Sequence, residues 1–374
     1  MKWSLYVGKP WGIRVYIHWT FLLLLGWIIF AQLGSGTERI IRVLILTALL
    51  FVSVLLHEFG HALVARRFKI LTRDIVLLPI GGMARLRKMP EDPKAEFWVA
   101  LAGPLVNAAI AGLLFVALLV TSGLPAIPEK FVLGAKGFNM TENLMWANAL
   151  LAAFNLVPAF PMDGGRVLRA FLGFRMSHEK ATAIAAQVGQ ALGIGFVILG
   201  FLYSLVFIFI GIFVYLGASS ESSSEQIRSS LRAYTVSNIL IKHYSALKPD
   251  DGIMTAVELL LSGQEQEFLV MDGKKVVGVI TKKEIFAGLS EHGNHVTVKH
   301  IMLQNFPLLR METTLEDALR MFNEKSCPIA PVFRGNALVG VLDRDNIQEL
   351  LTLNQAMKQY LDSPIRADSG TAHP

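Results

Sequence analysis

Apolar residues fill the first 218 positions in stretches too long for an ordinary soluble core. Six of them, at 15–33, 40–64, 96–121, 141–160, 183–201 and 202–218, come near the ~20 residues that cross a hydrocarbon core as a helix. Between the second and third lies a different pattern: Ile75-Val76-Leu77-Leu78-Pro79-Ile80, then Gly81-Gly82-Met83-Ala84-Arg85-Leu86. It is β-branched and apolar, broken by proline and paired glycines, and too short to cross as a helix. It predicts a re-entrant hairpin or strand pair buried within the protein. After Ala218 the pattern changes. Residues 219–225 read SSESSSE, a polar stretch with nothing to bury, which marks a linker over 219–233. Two segments then match without a gap at an offset of 62 residues. Ala256-Val257 aligns with Ala318-Leu319, Asp272-Gly273 with Arg334-Gly335, and Val277-Gly278-Val279-Ile280 with Val339-Gly340-Val341-Leu342. Each copy, 234–290 and 296–352, predicts strand, helix, two strands and helix, with 253–261 an apolar-periodic helix and 276–280 a short buried strand. Residues 353–374 read as a flexible tail. The fold class is thus a polytopic α-helical membrane domain over 1–218, carrying a short re-entrant β segment, followed by an α/β module built from a repeat.

Charge orients the spans. One set of flanks holds Lys2, Lys9 and Arg14, then Arg66, Arg67, Lys69, Arg73, Arg85, Arg87 and Lys88, then Arg166, Arg169, Arg175 and Lys180. The opposite flanks hold only Arg39, Arg42, Lys130 and Lys136 among several glutamates. The positive-inside rule places both termini, and the repeat module, in the cytosol of a multi-pass cell-membrane protein. The net charge of +6 sits beside apolar segments, as membrane anchoring requires, and does not form a nucleic-acid footprint. Cys327 is the single cysteine, so an intrachain disulfide and a cysteine zinc site are both excluded. The stretch from Val15 to Leu33 is long enough to stay in the membrane and lacks a signal-peptide cleavage pattern.

The chemistry lies inside the second span, which reads HEFGH at 57–61. Histidines four apart share one helix face, so both imidazoles can reach one metal ion. Glu58 follows the first of them, where a carboxylate can take a proton from water at the metal. Ionisable groups are costly in a membrane and need a purpose there. His61 lies five residues before Arg66, about 7–8 Å at the helical rise, so the metal would sit near the cytosolic side. A third ligand is required. Pro158 and Pro161 break the fourth span near the same face, leaving Asp163 on irregular backbone that can turn toward the metal, while Gly164 and Gly165 let the chain leave sharply. His18, beside Trp19 at the start of the first span, reads as an interfacial anchor.

HEFGH, AGPLVN at 102–107 and NLVPAFPMDGG at 155–165 together resemble the site-2 protease family of intramembrane zinc metalloproteases, in its prokaryotic branch with C-terminal CBS domains. The motifs span the whole membrane half, and their combination is specific where HExxH alone is not. The resemblance implies one Zn2+ per chain held by His57, His61 and Asp163, with Glu58 as general base. It places Asn155 near the scissile carbonyl or its oxyanion. Asn107 also matches a motif position; a role at the site and a hydrogen bond between helices both remain open. The implied activity is endopeptidase cleavage of a membrane-spanning substrate helix, which must unwind locally first; 75–86 would receive it as an added strand. The loop at 122–140 is too short for a PDZ domain. The rivals are a CBS-regulated metal transporter or channel using the His/Asp cluster as a transit site, and a catalytically dead binding protein of the same fold.

The repeat resembles a tandem CBS pair. Such pairs bind adenosine nucleotides (ATP or AMP) through a Gly-h-x-Thr-x-x-Asp motif. The first copy supplies Thr281 and Glu284 for that role, with Lys282 beside them. In the second copy Asp343 stands where threonine should be and would repel phosphate. Nucleotide binding and a structural or homodimerising role both stay open for the module.

Overall fold

The computed structural model describes residues 4–34, 36–79, 81–86, 92–125, 139–263 and 265–362. Most of the loop expected at 122–140, the end of the tail (363–374) and the charges Lys2, Arg87, Lys88, Lys130 and Lys136 lie outside them. The chain forms two units, Met1–Glu225 and Gln226–Pro374.

The first unit opens with strands β1 (Ser4–Gly8) and β2 (Arg14–His18), followed by a 12-residue helix α1 (Thr20–Ala31). This corrects the span expected at 15–33. Val15 and Ile17 pair in parallel register with Ile75 and Leu77 of β3 (Thr72–Leu78). Hydropathy registers these residues as apolar, but their β-branched alternation finds a strand partner 60 residues away. His18 accepts the backbone N–H of Thr20 at the start of α1 and does not reach HEFGH. The strand pair expected at 75–86 forms, with β4 (Gly81–Leu86) antiparallel to β3. The sheet order is β1-β2-β3-β4, so β4 is an edge. Asp74 and Arg85, opposite each other across β3 and β4, form a two-pronged ion pair at 2.6 and 2.8 Å. The sheet packs through Val15 and Ile75 onto Phe59 and Ala62 of α2 (Thr37–Arg67).

Helices α3 (Pro93–Ser122), α4 (Met140–Asn155), α5 (Asp163–Gly173), α6 (His178–Leu202) and α7 (Leu205–Arg232) complete this unit. Among the described helices, α2, α3, α6 and α7 are long and apolar enough to cross a membrane; the six expected spans become four such helices. The 16-residue α4 packs against α2 and α3, burying Asn143 and Asn148 and leaving Leu150 exposed. The turn between α6 and α7 falls at 203–204, two residues past the boundary expected at 201/202. A Cβ on Gly193 would lie 2.8 Å from the Gly211 carbonyl, so these glycines serve close helix packing.

Residues 219–225 do not form a linker, because α7 continues through them to Arg232. Their polar groups have partners: Ser223 donates to the Ser219 carbonyl at 3.0 Å, and Glu221 accepts from Arg169 at 2.7 Å. Arg169, 3% exposed, also donates to Glu96, 4% exposed, at 2.7 Å and lies 5.1 Å from the Phe160 ring centroid.

In the second unit each repeat has the expected order. The first holds β5 (Ala246–Leu247), α8 (Ile253–Ser262), β6 (Glu267–Asp272), β7 (Lys275–Thr281) and α9 (Lys282–His292). After the short α10 (Val298–Ile301), the second holds β8 (Leu309–Arg310), α11 (Leu315–Lys325), β9 (Ile329–Arg334), β10 (Ala337–Asp343) and α12 (Arg344–Asp362). The tail expected from 353 is thus helical as far as Asp362. The two cores repeat residue for residue at the offset of 62: Leu247, Ile253, Ala256, Phe268, Val270, Ile280 and Ile285 answer Leu309, Leu315, Ala318, Ala330, Val332, Leu342 and Ile347. The lead segments cross over. Val236 fills the core of the second repeat and its N–H donates to Thr313; Val298 fills the first and donates to Asp251. Neither core is complete without the other repeat, which explains why the two copies form one module.

Arg169→Met should leave the Glu96 carboxylate buried without its partner. The expected cost is about 3–5 kcal/mol, read as a fall in the thermal midpoint of the detergent-solubilised protein. Adding Glu96→Gln should recover much of it.

Candidate metal centre

His57 and His61 project from one face of α2, and Asp163 is the first residue of α5. This corrects the irregular backbone expected around Asp163. The chain between α4 and α5 folds so tightly over the start of α5 that a Cβ on Gly165 would lie 2.6 Å from the Phe160 nitrogen. The paired glycines therefore serve close backbone contact rather than a sharp exit. That contact fixes the helix N-terminus bearing Asp163.

The three side chains meet through single atoms. His57 Nε2, His61 Nε2 and Asp163 Oδ2 form a triangle whose three edges are each 3.1 Å. The residues are 7, 8 and 9% exposed. His61 Nδ1 lies 2.7 Å from the Val99 carbonyl, which can only accept, so Nδ1 carries the proton and Nε2 presents a lone pair. That lone pair faces a carboxylate oxygen at 3.1 Å, a repulsive arrangement that a divalent cation between them removes. Two imidazoles and a carboxylate are a zinc donor set. Zinc bonds of about 2.0–2.1 Å in a tetrahedron set donors roughly 3.3 Å apart, close to the triangle observed. The three groups fit the ion and leave room for a fourth ligand.

Two backbone features frame this cluster; reading the motifs missed the Gly103 contact and the bond from β4 to Glu58, although the strand pair itself was expected. Gly103 of α3 lies directly against the imidazoles: a Cβ there would sit 2.6 Å from His57 Nε2 and closer still to His61 Nε2. The signal was present in AGPLVN, where a glycine four residues before Asn107 shares its helix face. The second feature is β4. Glu58 Oε2 accepts the Ala84 N–H at 2.9 Å, and a Cβ on Gly82 would lie 2.9 Å from Glu58 Oε1. Glu58 is thus fixed at the edge strand, one residue from a metal-facing imidazole. Asn155 is the last residue of α4, half-buried, and its side chain makes no hydrogen bond among the described residues. Asn107 is 1% exposed on α3.

Residues 45–196 match Peptidase family M50, and 236–291 and 298–352 each match the CBS domain. A zinc metalloprotease of Methanocaldococcus jannaschii is 30% identical over 363 residues, covering 97% of this chain and 100% of its own. The chain belongs to peptidase family M50. Stage IV sporulation protein FB of Bacillus subtilis is 31% identical over 170 residues, 45% of this chain and 51% of its own. The solved site-2 protease from Methanocaldococcus jannaschii is 37% identical over 59% of this chain and 95% of that one, with a TM-score of 0.43. This M50 protein is a membrane-embedded zinc metalloendopeptidase of the site-2 protease type with tandem CBS domains.

In the CBS module, Thr281 lies at a cleft of about 430 Å³ lined also by Glu267, Lys282, Lys283 and Phe286. Thr281 caps α9, accepting the Lys283 N–H at 3.2 Å while its hydroxyl donates to Glu284. The two candidate nucleotide residues are thus joined to each other. Burial, and then the neighbouring Asp343 and Asp345, push Glu267 up to about 7. Asp343, in the position matching Thr281, accepts the Asn346 N–H at 2.8 Å and so keeps the capping role of the threonine it replaces.

Gly103→Ala should push a methyl group into both imidazoles. The purified protein should lose most of its zinc, measured as metal per chain, with the helical content of α3 retained.

Proposed function

We propose that this protein performs regulated intramembrane proteolysis, cutting transmembrane helices of substrate proteins at a zinc ion held by His57, His61 and Asp163. The observation that carries the reading is the meeting of this triad with a carboxylate fixed at a free strand edge. When bound, zinc supplies a Lewis acid that polarises the scissile carbonyl and acidifies water. Glu58, one residue from a ligand, takes the proton from the attacking water and delivers it to the leaving amine. Its tie to the Ala84 N–H holds it in place for that transfer.

A helix hides its carbonyls in its own hydrogen bonds, so the substrate must unwind before attack. The free edge of β4 supplies replacement backbone partners, and an extended segment added there lies beside Glu58. Asn155, at the end of α4, donates to the oxyanion that forms. The arginine- and lysine-rich flanks support a cytosolic setting for the metal, both termini and the CBS module in the cell membrane. The test is cleavage of a membrane-anchored substrate by wild type and by Glu58→Gln. The variant should lose at least ~100-fold in rate while keeping its zinc; cleavage unaffected by the change would remove this mechanism. Photo-crosslinks from substrate residues flanking the cut should map to 81–86.

The CBS pair is read as a regulatory module for an adenine nucleotide such as ATP or AMP, with Thr281 and Glu284 as contacts and Lys282 and Lys283 facing phosphate. Exposed apolar residues on α9 and α12, among them Phe286, Leu353 and Met357, support association of two copies through this module. Glu267 loses its proton as pH rises through about 7 and then repels phosphate at the same cleft. Nucleotide affinity should therefore be higher at pH 6 than at pH 8. Glu267→Gln should flatten that dependence, and Thr281→Val should weaken binding at both pH values, as measured by thermal shift of the full chain. No shift with ATP or AMP at either pH would eliminate the nucleotide role.

A further inference from the structure

Among the described residues, the buried polar atoms without a hydrogen-bond partner include His57 Nδ1 on α2, Asn107 Oδ1 on α3 and Asn148 Oδ1 on α4. Asn107 and Asn148 are 1% and 0% exposed. Helix spacing and two contacts connect them. Gly103 touches His57 Nε2, and Asn107 follows Gly103 by four residues on the same face of α3. Ser53 precedes His57 by four residues on α2, and Asn148 of α4 donates to Ser53 Oγ at 3.2 Å. The amide of Asn148 is fixed in direction, because its Nδ2 also donates to the Leu144 carbonyl at 2.8 Å. Its Oδ1 is left as a free acceptor.

A neutral histidine that offers Nε2 to a metal carries its proton on Nδ1. His61 meets that requirement through the Val99 carbonyl; among the described residues His57 has no partner for the equivalent proton. Ligand histidines need such a partner to fix the ring and raise its basicity. The unpaired set contains one donor and two acceptors. A single water molecule is its complement, since it accepts one hydrogen bond and donates two.

We propose that Asn107 and Asn148 are positioning residues for the zinc ligand His57, their amide oxygens sharing a buried water that accepts the His57 Nδ1 proton. They act on the metal through His57 and do not touch substrate. The assignment rests on the zinc reading above.

The test uses full-length protein in detergent, wild type beside His57→Ala, Asn107→Leu, Asn148→Leu and Asn107→Asp. Zinc affinity is measured by competition with a chromophoric chelator, the cobalt(II) absorption spectrum reports ligand geometry, and the metal-free proteins are melted in parallel. The two leucine variants should each bind zinc ~10–100-fold more weakly with a shifted cobalt spectrum, and metal-free Asn107→Leu should melt as high as wild type. Asn107→Asp, with a stronger acceptor in place, should hold zinc at least as tightly as wild type. Unchanged zinc affinity and cobalt spectra in both leucine variants would overturn the proposal. So would a loss that follows a lowered metal-free melting point and persists in Asn107→Asp, which is the behaviour of helix-to-helix glue. Wild type and His57→Ala binding zinc equally would instead defeat the zinc reading itself.

Discussion

Every polar atom placed among apolar helices must be satisfied from within the protein, and the membrane unit is organised around that constraint. Its most demanding case is the triangle of His57, His61 and Asp163. Proton placement on His61 leaves a lone pair facing a carboxylate, so the cluster is stable only with a cation or an extra proton between its members. The fold secures the position of each donor separately. Val99 orients one ring, the tight chain reversal before α5 orients the carboxylate, and Gly103 lets α3 close beneath both imidazoles. Three elements distant in sequence thus converge on one point to within hydrogen-bond distance.

The same constraint governs a charge cluster away from the triangle, in which Glu96 and Arg169 are buried and Glu221 half-buried. Glu96, Arg169 and Glu221 come from α3, α5 and α7, and each would be costly alone. Together they tie the helix that begins with Asp163 to two of the long apolar helices. Arg169 sits six residues from the metal-facing carboxylate on a helix of only 11 residues. The ion pairs add to the packing of this short helix against α3 and α6 in fixing its rotation.

The sequence carried the membrane chemistry more faithfully than the membrane architecture. HEFGH and the aspartate of the DGG motif were legible because their residue types are expensive in an apolar run and so announce a purpose. The repeat was legible because its period is exact at 62 and its cores coincide position by position. Architecture failed where hydropathy is blind to partners. Val15, Tyr16 and Ile17 belong to a strand because β3 lies alongside, and no local window contains that information. Residues 219–225 looked like a linker because their serines and glutamates bury nothing by themselves. They are helical because Arg169 waits for Glu221 and the serine hydroxyls bond back to the preceding turn. Glycine roles were the least visible, since a missing Cβ is informative only once the atoms that would collide with it are known.

One small sheet meets two chemical needs that helices alone cannot. A bundle of helices has no spare backbone donors or acceptors, so it can neither receive an unwound segment nor hold a carboxylate by main-chain contact. The edge strand β4 offers atoms for both: its Ala84 N–H takes Glu58, and the remainder of its edge is unpaired within the sheet. Under the proposed mechanism, a substrate that remains helical presents no free carbonyl to this edge. Only a segment that gives up its own hydrogen bonds can replace them there. Selectivity for helices that unwind easily then follows from backbone pairing at β4, without a pocket that reads particular side chains.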